Sequence, residues 1–335
     1  MVLSESQAKA AIKWNKKNSD RIGWDRNSVT VLLGFNMCIP EDSEQWVQRV
    51  AKFQKRNNLD VDGKIGNDTW RVLRYQELSD EDRVIALAVD RVAKFEGGYH
   101  YDRLNRDGEF RGLFDKVYMK RHGKPHRASN KIHIGLSAFI IQWSQDSGSL
   151  GKVLRAMLQK NPDKFKRIVG STWFELMNVL EARGPSGFST NKLRGPRVQK
   201  VPISVGGELK RYDIWEGPWI KVFKNLGRDP EFQAVQRKQA FEQFMADDLD
   251  YMRKHGLRSE KAMAIVFNRS VHFGNSRVDD LMERGLKKVE DFDGEYSLER
   301  EKKVLDIVSS YYSRAKDVLK DDGVSWDEWE GFRIF

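Results

Sequence analysis

Ser79-Asp80-Glu81-Asp82-Arg83-Val84-Ile85-Ala86-Leu87-Ala88-Val89-Asp90-Arg91-Val92-Ala93-Lys94-Phe95-Glu96-Gly97-Gly98 is the stretch on which the reading of the larger part of the chain turns. Its first four residues have the form of a capping box and mark a helix start. Ile85, Ala88, Val89, Val92 and Glu96 then fall on one stripe at helical spacing, and Gly97-Gly98 stops the helix. The apolar face thus carries an ionisable carboxyl in its last turn. Burial disfavours its ionised form, and the helix C-terminus carries partial negative charge, so both raise its pKa toward what a general acid needs near neutral pH. A Glu beside a helix stop can equally be exposed at the helix end, and position alone leaves both readings open.

Upstream, residues 1–77 read as a compact helical unit. A helix begins near Ser6, a second runs from about Ser28 to Phe35, and a third starts at Ser43 with Trp46, Val47, Val50 and Phe53 at helical spacing. The turn-rich segment Asn57 to Gly66 follows, and a short last helix spans Asp68 to Tyr75, with Asp68 or Thr69 as its cap. Phe53, Leu59, Val61, Ile65, Trp70 and Leu73 can form a miniature core, while Asp62-Gly63 and Gly66 supply turn geometries that most residues resist. Downstream of Gly98, Tyr99 to Phe110 has hairpin character around Asn105-Arg106-Asp107-Gly108. Helices are expected over 138–160, 162–182, 213–226, 230–255, 258–272 and 297–319. Arg183 to Arg211 reads as one long basic loop.

Two resemblances follow from these residues. Phe53-Gln54, Leu59, Asp62-Gly63, Gly66, Thr69 and Leu73 fill every hallmark position of the three-helix peptidoglycan-binding module found on many cell-wall hydrolases. That likeness implies murein binding, with Phe53, Gln54, Asp62, Gly63, Thr69 and Trp70 as the module's signature. Phe95-Glu96-Gly97-Gly98, then a polar hairpin-like segment, then Ile132-His133-Ile134-Gly135-Leu136-Ser137, resembles the lysozyme superfamily, including its chitosanase relatives. Members share a helix ending in the catalytic Glu and a small sheet lining the cleft. The fold class expected is therefore mainly α: a small three-helix N-terminal module (1–77) and an α+β lysozyme-like catalytic domain (78–335) with a small β-sheet at its cleft.

The second resemblance implies Glu96 as general acid. It also implies a second carboxylate that holds a water or stabilises the oxocarbenium-like state. The chain departs from the family here, because Arg111 to Lys131 is an insertion and Asp102, Asp107 and Asp115 all compete for that role. Asp107 is preferred for its place at the expected hairpin, where it can also be an ordinary Asp-Gly turn. In relatives the strand bearing His133 and Ser137 faces substrate, and Gln142 would begin the next helix. Tyr99 and Tyr101 can stack on sugar rings or belong to the core.

Composition narrows the alternatives. A chain of 335 residues, 39% hydrophobic and 32% charged, can bury a sizeable core. Its net charge of +10 and pI near 9.4 suit an anionic partner. No zinc finger or RNP-like motif argues for nucleic acid, so the anionic wall is preferred. The one cysteine, Cys38, sits in an apolar run, which points to packing rather than chemistry and excludes a disulfide or cysteine–zinc site. The six histidines place no pair on one helix face, so neither a metal nor any other cofactor is expected. No apolar run is long enough to span a membrane, and the first residues lack the form of a signal peptide. Synthesis in the cytoplasm is therefore expected, with access to the wall through phage-type lysis or a dedicated delivery machine. The activity expected is cleavage of the murein glycan strand by a muramidase. A lytic transglycosylase on the same bond and a non-catalytic wall-binding protein are the alternatives.

Overall fold

The computed structural model describes residues 2–22, 24–34, 40, 43–57, 59–95, 100–106, 136–145, 148–181, 200–273, 278–289 and 294–335. Cys38, Glu96, Tyr99, Asp107, Asp115 and His133 lie outside these residues. The chain is mainly helical with small antiparallel sheets, and it divides into two compact units: 1–95 with 244–335, and 96–243.

The first unit opens with α1 (Glu5–Ile22), α2 (Arg26–Leu32), α3 (Glu44–Arg56) and α4 (Asn67–Arg74). Asp25 and Ser43 cap α2 and α3 by accepting from Ser28 N and Trp46 N, leaving fewer orphan amides at each start. Helix α4 has no side-chain cap, and its N-cap is Gly66. The expected cap Thr69 is instead buried, where its hydroxyl accepts from Gln54 Nε2 at 3.1 Å. Of the expected miniature core, Phe53, Ile65 and Leu73 are buried, Leu59 and Trp70 are half-buried, and Val61 is 39% exposed. The fully buried tryptophan of the module is Trp46, stacked on Trp24 with ring centroids 6.0 Å apart.

The signature residues explain themselves in the loop between α3 and α4. Gln54 Oε1 accepts from Asp62 N and Gly63 N, and its Nε2 donates to Asp62 Oδ1 and Lys64 O. From α1, Asn15 donates to Gly63 O and accepts from Ile65 N, while Trp24 Nε1 donates to Ile65 O. Gly63 has φ +71°, and a Cβ there would stand 2.7 Å from Leu3, so only glycine fits. The Phe-Gln, Asp-Gly and Thr positions therefore form a hydrogen-bonded scaffold. Gln54→Ala would leave several buried backbone and side-chain groups unpaired. It should cost about 2–3 kcal/mol, read as a lower denaturant midpoint at unchanged slope. A loss within a few tenths of a kcal/mol would show that water replaces the amide.

The same unit holds α5 (Asp80–Phe95), α11 (Ala246–Lys254), α12 (Glu260–Phe273), α13 (Val278–Leu286), α14 (Leu298–Ser309) and α15 (Ser313–Lys320). Ser79 caps α5 as expected, accepting from Asp82 N at 3.1 Å. Ile85, Ala88, Val89 and Val92 are buried, and so are Val84, Ala86 and Ala93, a wider face than one stripe. Helix α5 packs on α12, which is shut off from solvent from Ala262 through Asn268 and needs apolar residues all round. Two buried ions seal helix ends here. Glu301 accepts from Ser259 N and Oγ and Arg258 N at the start of α12, and Lys261 Nζ donates to Val318 O, Leu319 O and Asp321 O at the end of α15.

In the second unit, β1 (Leu104–Arg106), β2 (Leu136–Ala138) and β3 (Trp143–Ser144) form an antiparallel sheet in that order. Leu104, Asn105 and Arg106 pair with Ala138, Ser137 and Leu136, so the partner of the first strand lies thirty residues on, not across the expected Asn105–Gly108 turn. Residues 139–145, expected to be helical, instead make a tight turn and β3. Phe139 and Gln142 take φ of +75° and +58°, and the helix begins only at Ser149. The remaining elements are α6 (Ser149–Lys160), α7 (Pro162–Val169), α8 (Trp173–Glu181), β4 (Val201–Val205), β5 (Glu208–Tyr212), α9 (Pro218–Arg228) and α10 (Pro230–Phe244). The β4–β5 hairpin occupies part of the expected loop. Its Gly206-Gly207 turn has φ of +62° and +87°, which non-glycine residues resist. Trp143, Trp219, Phe139, Phe165, Phe223 and Phe232 form the fully buried aromatic core of this unit.

Candidate active site

The chain passes from the end of α5 at Phe95 straight into Glu96, and is next described at His100. From there Asp102, Arg103 and Leu104 run into β1. A cleft of about 430 Å³ opens along this segment. Leu104 and Leu136 from the paired strands, with Trp215 and Ile220, give it an apolar lining; His100, Asp102, Arg103 and Lys224 give it polar groups. A cleft of this size falls within the roughly 300–1,000 Å³ range of small-molecule sites.

Helix α9 stands against this segment because Gly227 allows it. A Cβ on Gly227 would lie 2.3 Å from Tyr101 O and 2.6 Å from Asp102 Cα, so any larger residue would push the helix away. Trp219, Val222, Phe223 and Leu226 bury the opposite side of α9. Immediately after Gly227, Arg228 Nε donates to Asp102 Oδ2 at 2.7 Å, which fixes the aspartate to the helix end. Tyr101 is a core residue, 5% exposed, with Arg237 over its ring at 5.8 Å.

Of the substrate-facing candidates His133, Ser137 and Gln142, the last two are among the described residues. Ser137 is buried on the central strand, opposite Asn105 and Ser144. Gln142 lies in the turn before β3, not at a helix start; its Oε1 accepts from Asn105 Nδ2 at 2.5 Å and its Nε2 donates to Phe139 O at 2.8 Å. The amide thus braces the turn whose positive φ values need a local partner. Of the three aspartates weighed as second carboxylate, Asp102 is in the cleft, engaged by Arg228. Among the described residues no group of three or more His, Cys, Asp or Glu side chains could hold a metal ion.

Sequence reasoning missed the contribution of Trp215 and α9 to the cleft, reading 213–226 only as a helix. Lys221, Lys224 and Arg228 at spacings of three and four, opposite an apolar side, were a legible signal of a basic face.

Residues 41–73 match the family described as "Putative peptidoglycan binding domain". This covers the loop and helices whose hydrogen bonds are set out above, and the chain carries that domain. No curated protein matches the chain. Among solved structures, the GH46 chitosanase of Gynuella sunshinyii in complex with chitotetraose aligns at 12% identity and TM-score 0.43, covering 72% of this chain and 88% of that one. The native chitosanase of Bacillus subtilis MY002 aligns at 16% identity and TM-score 0.41, covering 73% and 84%. Among the described residues, no helix is long and apolar enough to cross a membrane.

Proposed function

We propose that the chain is a murein glycan-strand hydrolase of the muramidase type: residues 1–77 hold the substrate and residues 78–335 cut the bond after N-acetylmuramic acid. The observation that carries this reading is the peptidoglycan-binding domain at 41–73, because it names the polymer to which the rest of the chain is delivered. The order of elements beyond it supports a glycosidase. A capped, largely buried helix runs into Glu96, and a three-stranded antiparallel sheet follows with a cleft along its first two strands.

In this reading Glu96 protonates the glycosidic oxygen as the bond breaks, and Asp107 holds the water or balances the positive charge that develops at the sugar carbon. Asp102, tied to Arg228, shapes the wall of the cleft. Binding of the polymer by the N-terminal module raises the local concentration of scissile bonds, which helps an enzyme working on an insoluble sheet. The wall is reached on phage-type lysis of the host cell or through an injection machine.

Purified murein sacculi are the direct test. The full chain should bind them and clear their turbidity with release of soluble fragments. Binding without clearing would leave a wall-binding protein on an inactive scaffold. Neither binding nor clearing would remove murein as the target.

A further inference from the structure

The described walls of the cleft are more basic than a neutral or cationic sugar polymer requires. Lys221, Lys224 and Arg228 share one side of α9, and Lys224 lines the cleft, as do Arg103 and His100. The cleft's one described carboxylate, Asp102, is already taken by Arg228. Lys224 is half-buried and forms no ion pair among the described residues. The apolar side chains of Trp215, Ile220, Leu104 and Leu136 line the same cleft. An ammonium in such a setting is poorly screened and attracts an anion more strongly than one on an open surface.

A glucosamine polymer carries an ammonium on each ring and would meet like charge at this wall. A neutral N-acetylglucosamine polymer would gain nothing from Lys224. A glycan bearing a carboxylate near the ring would gain a charge-assisted hydrogen bond. We propose that Lys224 forms a carboxylate-recognition subsite of the cleft, which reads the acidic 3-O substituent of muramic acid and so selects murein over chitin and chitosan. The proposal rests on the murein reading and adds to it the residue that sets the choice of sugar polymer. Two sources share this chemistry: the lactyl carboxylate of a muramic residue without its peptide, and the carboxylates of the stem peptide where it is present.

The test is calorimetric binding to the full chain. The probes are a peptide-free tetrasaccharide of alternating N-acetylglucosamine and N-acetylmuramic acid, the same oligosaccharide carrying stem peptides, and neutral chitotetraose. The native chain should bind at least one carboxylated probe tenfold or more tightly than chitotetraose, and the preference should shrink as salt rises. Which carboxylated probe gains more identifies the source. Lys224→Met should remove most of that preference while leaving chitotetraose binding within about twofold, and Lys224→Arg should restore much of it. Circular dichroism of both variants confirms that the helix is retained.

An unchanged preference in Lys224→Met, or a native chain that binds chitotetraose as well as the acidic probes or binds none of them, would overturn the subsite. The hydrolase reading stands or falls separately on clearing of sacculi. A chain that clears sacculi yet ignores Lys224 refutes only the subsite. A chain that prefers acidic probes through Lys224 yet leaves sacculi uncut supports the subsite and refutes the hydrolase.

Discussion

Glu96→Gln is expected to lower the rate of murein strand cleavage by about 10²–10⁴-fold, the range that a positioned general acid supplies. Glutamine keeps the size and polarity of the side chain and removes the proton that the leaving sugar oxygen must receive. Binding to sacculi should stay as it was, because the module at 41–73 is untouched. The folded state should also hold, since on the apolar stripe expected from the sequence an ionisable group carries a desolvation cost that glutamine avoids. The structure refines the reason given from sequence. At the end of α5, Arg314 Nη1 donates to Phe95 O at 2.8 Å, so a guanidinium offsets part of the negative charge of that helix terminus. In the proposed reading Glu96 acts while protonated, so its ionisation sets the alkaline limb of the pH–rate profile. Asp107→Asn should cut the rate less, because water or a neighbouring carboxylate can share its role. Activity within a few-fold of the native rate in Glu96→Gln would return this residue to a structural part.

The second large effect is on stability. Asp248 on α11 is 3% exposed and hydrogen-bonds Ser270 on α12, with Asp247 and Asp279 near enough to repel its charge. Burial pushes its carboxyl from the ordinary 3.8 up to about 7. The unfolded chain releases this proton near pH 4, whereas the folded chain keeps it until about pH 7. Between those values the unfolded state binds fewer protons, so folding stability falls as pH rises. At about 1.36 kcal/mol per pH unit, the loss across that window is on the order of 4 kcal/mol. Asp248→Asn stays neutral and can still bond Ser270. Its stability should match the native chain below pH 4 and exceed it by up to that amount at pH 8, measured by urea unfolding across the range. A native-minus-variant difference that stays flat from pH 4 to 8 would show that Asp248 is ionised throughout in the folded chain.

Where a single local rule governed the outcome, sequence was a good guide. The start of α5 followed from Ser79, and its buried face from the 3.6-residue period. The loop of the binding module was legible because Asp62-Gly63 and Gln54 leave little choice of geometry. The misreadings came from residues whose state is set by distant partners. Trp70 and Val61 look like core in one dimension, but Trp46 fills the centre and leaves them half-buried and exposed. Phe139 to Ser144 has the apolar content of a helix, yet pairing with Leu136–Ala138 and the Gln142–Asn105 bond turn it back into the sheet. The role of Lys224 depends on Gly227 bringing α9 onto Tyr101 and Asp102, a contact across more than a hundred residues that no periodicity records.

Mass spectrometry of the fragments that the full chain releases from purified sacculi tests the central claim most directly. Cleavage of the glycan strand after N-acetylmuramic acid by water predicts fragments ending in reducing N-acetylmuramic acid, with stem peptides intact. Anhydro-muramic ends would keep the bond and the role of Glu96 while replacing water by the sugar's own 6-hydroxyl as acceptor. Fragments cut only within the peptide stems, with the sugar strands whole, would contradict the account.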